Sequence, residues 1–142
     1  MLAPDVNVLV YAHREELALH DVCRRWVEET IAADAAFALA DVVLSGFVRV
    51  VTHPRIFNTP TPLEQALAFV AAVREQPSRI PLEPGPRHWG IFERICRDSG
   101  VRGNLVADAY LASLAIESGC TWVTTDRDFT RFAGLRLLHP SD

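Results

Sequence analysis

Cys120-Thr121-Trp122-Val123-Thr124-Thr125-Asp126-Arg127-Asp128-Phe129 is the stretch that decides how this chain is read. A β-prone run, Thr121 to Thr125, ends in two aspartates two residues apart. In an open α/β sheet, ligands gather at the carboxyl ends of the strands. Two carboxylates at such an end repel each other unless a cation or a proton intervenes. Whatever neutralises Asp126 and Asp128 is therefore central to the function.

Two more aspartates stand in similar settings. Leu2-Ala3-Pro4-Asp5 reads as a first strand that ends in Asp5, with Pro4 unable to donate to a ladder. Val8 to Ala12 then reads as a short buried helix, which Asp5 is placed to cap. Asp108 lies four residues after Asn104, at the start of the most apolar helix expected here, Asn104 to Ser118. Four residues on a helix share a face. An unpaired aspartate within Leu105-Val106-Ala107 and Ala109-Tyr110-Leu111 is costly to bury, and its alternative is a solvated edge of the first turns.

Between these points strands and helices alternate. Helices are expected over His20–Ala33, Val42–Thr52, Pro62 to Gln76 and Arg87–Ser99, and strands over Ala35–Ala40, Ile80–Leu82 and Leu135–Leu138. Asp41 falls where a helix N-cap is expected, and Gly119 where a helix stops. Trp89, Phe92, Ile95 and Cys96 mark the inner face of the helix over Arg87–Ser99. This alternation predicts an α/β fold, a mainly parallel central sheet with helices on both faces, in one domain spanning residues 1–142.

The charge balance is 14 basic residues, all arginine, against 18 acids, a net charge of −4. If Asp5, Asp108, Asp126 and Asp128 face a cation, 14 acids remain against 14 arginines, so nucleic acid is not excluded as a partner. The three cysteines, Cys23, Cys96 and Cys120, lack disulfide or zinc-ligand spacing, which fits reduced thiols and a cytoplasmic location. No apolar run long enough to span a membrane is present, and no signal peptide is evident.

Clustered carboxylates without a histidine–cysteine set suit a hard cation, Mg²⁺ or Mn²⁺. Such ions activate water and steady the leaving oxygen of a phosphodiester. No P-loop is present, so that route to nucleotide chemistry is excluded. Arg127 and Arg131 lie beside the acids as candidate RNA phosphate contacts, which carry no base information.

These residues carry a resemblance. Asp5-Val6-Asn7-Val8-Leu9, Asn104-x-x-x-Asp108-Ala109-x-Leu111 and Thr124-x-Asp126-x-Asp128-Phe129 resemble, in order, the acidic segments of PIN domains. Gly46-Phe47-x-Arg49-Val50-x-Thr52-x-Pro54-x-x-Phe57 and Arg131-Phe132-x-Gly134-Leu135 resemble one branch of the VapC-type toxins. The resemblance covers essentially the whole chain and implies a three-layer PIN-like fold. It implies a metal-dependent endoribonuclease, the toxin of a toxin–antitoxin pair, using a metal-activated water. Asp5, Asp108 and Asp126 would hold the ion, with Asp128 close by as a fourth catalytic acid. Asn7 and Thr124 would orient Asp5. A VapB-like antitoxin and a homodimer are implied as well.

One position departs from the pattern. PIN domains usually carry a further acid in the helix after the second strand, and here that region reads Val42-Val43-Leu44-Ser45-Gly46. Asp41 is the nearest carboxylate, either a substitute or the helix cap. The departure keeps a second reading open, a catalytically weak module acting through a protein partner. Haloacid-dehalogenase-like and response-regulator readings both need a lysine, and there is none. The apolar segments 42–51 and 63–73 exceed one face each, through either a groove for an antitoxin helix or ordinary core packing.

Overall fold

The computed structural model describes residues 1–142. Five strands, β1 (Leu2–Pro4), β2 (Phe37–Leu39), β3 (Arg79–Pro81), β4 (Thr121–Val123) and β5 (Arg136–Leu138), form one sheet in the order β3-β2-β1-β4-β5. Every neighbouring pair is parallel. Six helices connect them: α1 (Val6–His13), α2 (His20–Ala32), α3 (Asp41–Val51), α4 (Leu63–Arg74), α5 (His88–Ser99) and α6 (Asn104–Ser118). α1 packs on α2 and α3, α3 on α4, and α5 on α6. The expected α/β architecture is thus found, with a sheet that is wholly rather than mainly parallel.

The strand order reverses between β1 and β4. From β1 the chain steps outward to β2 and β3, then restarts at β4 on the other side of β1. Such a switch point leaves a crevice at the carboxyl ends, because the flanking connections depart in opposite directions. Asp5 follows β1 and Thr124 follows β4, so both stand at this crevice. Pro4 sharpens the asymmetry. Lacking an N–H, it leaves β1 joined to β2 at Leu2↔Phe37 alone, whereas all three residues of β1 are in register with β4.

The core explains why the short strands hold. Val8 and Leu9 of α1, Phe37 to Leu39 of β2, Phe47 of α3 and Trp122 of β4 are all buried. Trp122 lies 5.8 Å from the Phe129 ring, which lies 5.9 Å from Phe132. This aromatic anchor fixes the 3-10 turn Arg127–Arg131 against the sheet. Gly119 ends α6 at φ 72°, as its position predicts, a conformation without Cβ strain for glycine.

Two expectations are corrected. Asp41 does not cap α3: it is the helix's first residue, Ala40 holds the cap position, and no side chain bonds there. The Asp41 carboxylate instead meets Arg74 Nε at 2.9 Å and Arg79 Nη2 at 3.0 Å. A paired guanidinium outcompetes a neutral backbone N–H for a carboxylate. Trp89 is not on the inner face of α5: it is 61% exposed. The buried stripe starts one residue earlier, on His88, whose ring nitrogen lies 3.1 Å from the Tyr110 carbonyl oxygen.

Candidate active site

Three of the four aspartates line one cleft of about 690 Å³: Asp5, Asp108 and Asp126. The cleft wall also includes Asn7 of α1, Ser45, Gly46 and Arg49 of α3, Phe92 of α5, and Val106, Tyr110 and Leu111 of α6. Asp128 joins the group from the 3-10 turn. Asp108, Asp126 and Asp128 each offer an oxygen within 4.8 Å of the others. These donors, all oxygen, all anionic and close together, could hold one hard cation.

Asp5 is held by both oxygens. The Val6 N–H donates to Oδ1 at 2.7 Å, which caps α1, and the Thr124 hydroxyl donates to Oδ2 at 2.7 Å. Capping and site placement therefore coexist in Asp5. The Thr124 oxygen also accepts the Asp126 N–H at 3.0 Å, and Asp126 Oδ1 accepts the Asp128 N–H at 2.8 Å. Asp5, Thr124, Asp126 and Asp128 thus form one chain of bonds at the crevice between β1 and β4.

The electrostatics follow from burial and like charge. Asp5 is 4% exposed. Burial pushes its carboxyl up to about 6; the Thr124 and Val6 bonds oppose the shift, and the charges of Asp108 and Asp126 add to it. Asp108 is also pushed up to about 6, first by burial, then by Asp126 and Asp128, with Arg131 opposing. Two carboxyls held this high mark a crowded, negatively charged pocket.

The other expected residues divide. Thr124 bonds Asp5, whereas Asn7 lines the cleft without a hydrogen bond to it. Asn104 opens α6 after Gly103, is exposed, and does not line the cleft. Asp41 is held by Arg74 and Arg79 and is likewise absent from the cleft wall. Arg131 donates to Asp128 Oδ1 at 3.1 Å and to its carbonyl oxygen at 2.9 Å, while Arg127 is exposed without a side-chain partner. Arg49 also lines the cleft, a contact that the acidic motifs do not point to. Its signal was the α3 spacing Val42, Ser45, Gly46, Arg49, Val50, one helical stripe.

Comparison with known proteins agrees with this geometry. A family model described as PIN domain matches residues 2–135. VapC ribonuclease Mb2897 of Mycobacterium bovis is 45% identical over 142 residues, covering 100% of this chain and 97% of that protein. Ribonuclease VapC25 of Mycobacterium tuberculosis is 41% identical, covering 99% of each. Among solved structures, VapBC2 from Rickettsia felis bound to a promoter DNA fragment superposes with a TM-score of 0.69 at 20% identity, covering 97% of each chain. VapBC-1 from nontypeable Haemophilus influenzae gives 0.70 at 13% identity, covering 99% of this chain and 98% of that one. The structural matches speak for the fold, and the family and sequence matches for kinship: the chain belongs to the PIN-domain family, in its VapC branch.

Proposed function

We propose that this cleft hydrolyses RNA phosphodiesters with the aid of a divalent ion, Mg²⁺ or Mn²⁺, and that the chain is the toxin of a toxin–antitoxin pair. One observation carries the reading: the oxygens of Asp108, Asp126 and Asp128 lie within 4.8 Å of one another, with Asp5 in the same cleft. The residues fit the ion, because anionic oxygens crowded this closely need a cation or protons to coexist. When bound, the ion would supply Lewis acidity and a water made acidic enough to attack at neutral pH.

The chain's own residues do the positioning. Thr124 fixes Asp5 and the Asp126 backbone through one hydroxyl, so the two strand ends move as a unit. Asp126 in turn fixes the turn that carries Asp128. Arg131 leaves Asp128 one oxygen free, since it engages Oδ1. The apolar wall of Val106, Leu111 and Phe92 limits water beside the acids.

The relatives' names, ribonucleases of the VapC type, support RNA as substrate. VapBC complexes among the structural neighbours support an antitoxin partner. On α3 and α4, Val42, Leu63 and Leu67 stay exposed while Val43, Leu44 and Phe47 are core, so each helix has apolar surface to spare for a partner helix. A homodimer, one domain over residues 1–142 and a cytoplasmic setting complete the reading. The cysteines are all free, and no helix is long and apolar enough to cross a membrane.

The test is cleavage of single-stranded RNA by the purified chain with Mg²⁺ or Mn²⁺ and with EDTA, beside Asp5→Asn. Metal-dependent cleavage abolished in Asp5→Asn supports the reading. A second reading, a weakly catalytic module acting through a partner, is favoured by one observation: the α3 wall presents Ser45, Gly46 and Arg49 and no acid. Tight antitoxin binding without cleavage under any metal would move it ahead.

A further inference from the structure

The α3 wall of the cleft carries a single charged residue. Val43, Leu44, Phe47 and Val51 of this helix are buried in the core, and Arg49 lies on the opposite stripe, facing the cleft. The other charged residues lining the cleft are Asp5, Asp108 and Asp126, so Arg49 is its one cation. It is exposed and takes part in none of the six ion pairs. Arg131, the arginine that acts on Asp108, is already committed to Asp128. No ion pair joins Arg49 to Asp5, Asp108 or Asp126, with which it shares the cleft.

A guanidinium that lines an acidic cleft yet pairs with no acid is available to an anion from solution. Its planar fork matches two oxygens of a phosphate, a geometry that an ammonium lacks. RNA entering the cleft faces three or four carboxylates, which repel its backbone. A fixed positive charge on the facing wall offsets that repulsion where the strand must pass. The same charge disfavours a second divalent ion at this wall, as like charges do.

We propose that Arg49 holds a backbone phosphate of the RNA in the cleft and thereby positions the strand against the aspartates. This rests on the nuclease reading above. Phosphate contacts carry no base information, so Arg49 contributes equally to every RNA sequence. One phosphate contact to a single strand contributes roughly 0.7 to the slope of log affinity against log salt.

The experiment uses the full chain and a short fluorescein-labelled single-stranded RNA. Binding is followed by anisotropy over a salt series, in Ca²⁺ and in EDTA, for wild type, Arg49→Ala, Arg49→Lys and Arg49→Glu. Arg49→Ala should weaken binding roughly tenfold, the size of one charge-assisted contact, and lower the salt slope by roughly 0.7. Arg49→Lys should keep the slope and recover part of the affinity, and Arg49→Glu should bind more weakly than Arg49→Ala. In Mg²⁺, KM should rise for Arg49→Ala with little change in kcat, and melting temperatures should match wild type, since the exposed Arg49 side chain takes part in no ion pair of the fold. If Arg49→Ala cleaves and binds RNA with wild-type affinity and salt slope, the assignment is overturned while the nuclease reading stands. A fall in kcat alone, with KM unchanged, also overturns it. If wild type neither binds nor cleaves RNA, the nuclease reading fails and the assignment with it.

Discussion

Thr124 Oγ1 donates to Asp5 Oδ2 at 2.7 Å, so a hydroxyl just past β4 holds a carboxylate just past β1, 119 residues earlier in the chain. Both residues are buried, at 6% and 4% exposure. Because the hydroxyl oxygen also accepts the Asp126 N–H, one side chain spans the switch point of the sheet.

Thr124→Val keeps the shape and removes the hydroxyl. Asp5 Oδ2 then loses its donor while buried, which costs about 1–3 kcal/mol. The Thr124 bond also opposes the upward shift of Asp5, so the Asp5 carboxyl should rise further. Metal affinity and cleavage should fall roughly 10- to 100-fold, the usual effect of losing a partner that orients a ligand. Thr124→Ser should restore both. Thermal unfolding and an RNA cleavage assay check this; a Thr124→Val variant as active and as stable as wild type would remove the hydroxyl from the account.

Asp41→Ala tests a residue whose role the structure revises. Its carboxylate is exposed, and Arg74, by hydrogen bond, is the main cause that holds it below the usual range, with Arg79 adding to it. Exposed ion pairs are worth about 0–1 kcal/mol, and an acid in a helix's first turn adds about 0.3–1 kcal/mol. The variant should lose about 1 kcal/mol of stability and keep wild-type cleavage. The loss should be full at neutral pH and vanish in acid, because a carboxyl lowered in the fold contributes fully above its unfolded value and loses that contribution as pH falls through the lowered one. Wild-type stability with cleavage abolished would instead make Asp41 the displaced acid.

The fate of Asp41 shows where sequence reading stopped. The strands, the helices and the positions of Asp5, Asp108 and Asp126 at strand ends and a helix start follow local rules: alternation, turn residues, apolar period. Arg74 and Arg79, by contrast, lie 33 and 38 residues from Asp41. No local rule weighs a backbone N–H next door against guanidinia brought by a later helix and strand. Trp89 misled for a related reason. Its apolar side chain fits an inner stripe, but His88 takes that place because the Tyr110 carbonyl on α6 satisfies its ring. Asn7 lines the cleft, but the donors to Asp5 are the Val6 N–H and the Thr124 hydroxyl. Only Asn7 lies in the cleft; Asp41 is absent from its wall and Trp89 is exposed, because packing set the partners that local pattern could not weigh.

Gly46→Ala probes the contact between α3 and the start of α1. A Cβ at residue 46 would meet Val6 Cγ2 at 3.0 Å, so Val6 must yield by a few tenths of an ångström. Alanine gains about 1 kcal/mol of helix propensity over glycine, which offsets the crowding. Stability should therefore change by less than about 1 kcal/mol. Activity should suffer more, because Val6 carries the N–H that holds Asp5 Oδ1. Melting temperature and cleavage rate measured together decide it. A variant that is more stable and fully active would mean Val6 yields without moving Asp5.

Asp108→Asn should separate stability from catalysis. Asp5 and Asp108 each rise from an ordinary 3.8 to about 6, and burial is the main cause in both. A carboxyl raised in the fold binds more protons native than unfolded between those two values. Its contribution to stability therefore declines as pH climbs from about 4 to about 6, and stays at its low level above. Without metal, Asp108→Asn removes one such group, so at neutral pH it should melt at the same temperature as wild type or higher. Its stability should also fall less steeply between pH 4 and 6. A divalent ion binds the folded site and stabilises it by about 2.7 kcal/mol at a hundredfold excess over its dissociation constant. Asp108→Asn should gain less from Mg²⁺ or Mn²⁺ and cleave RNA far more slowly. Cys23→Ser and Cys120→Ser, at buried thiols outside the cleft, should leave the metal response unchanged. The measurement is thermal unfolding with EDTA and with Mn²⁺ across this pH range, beside the cleavage assay. Should wild type gain nothing from either metal and cleave equally well in EDTA, the aspartates are not a metal site, and the partner-binding reading takes precedence.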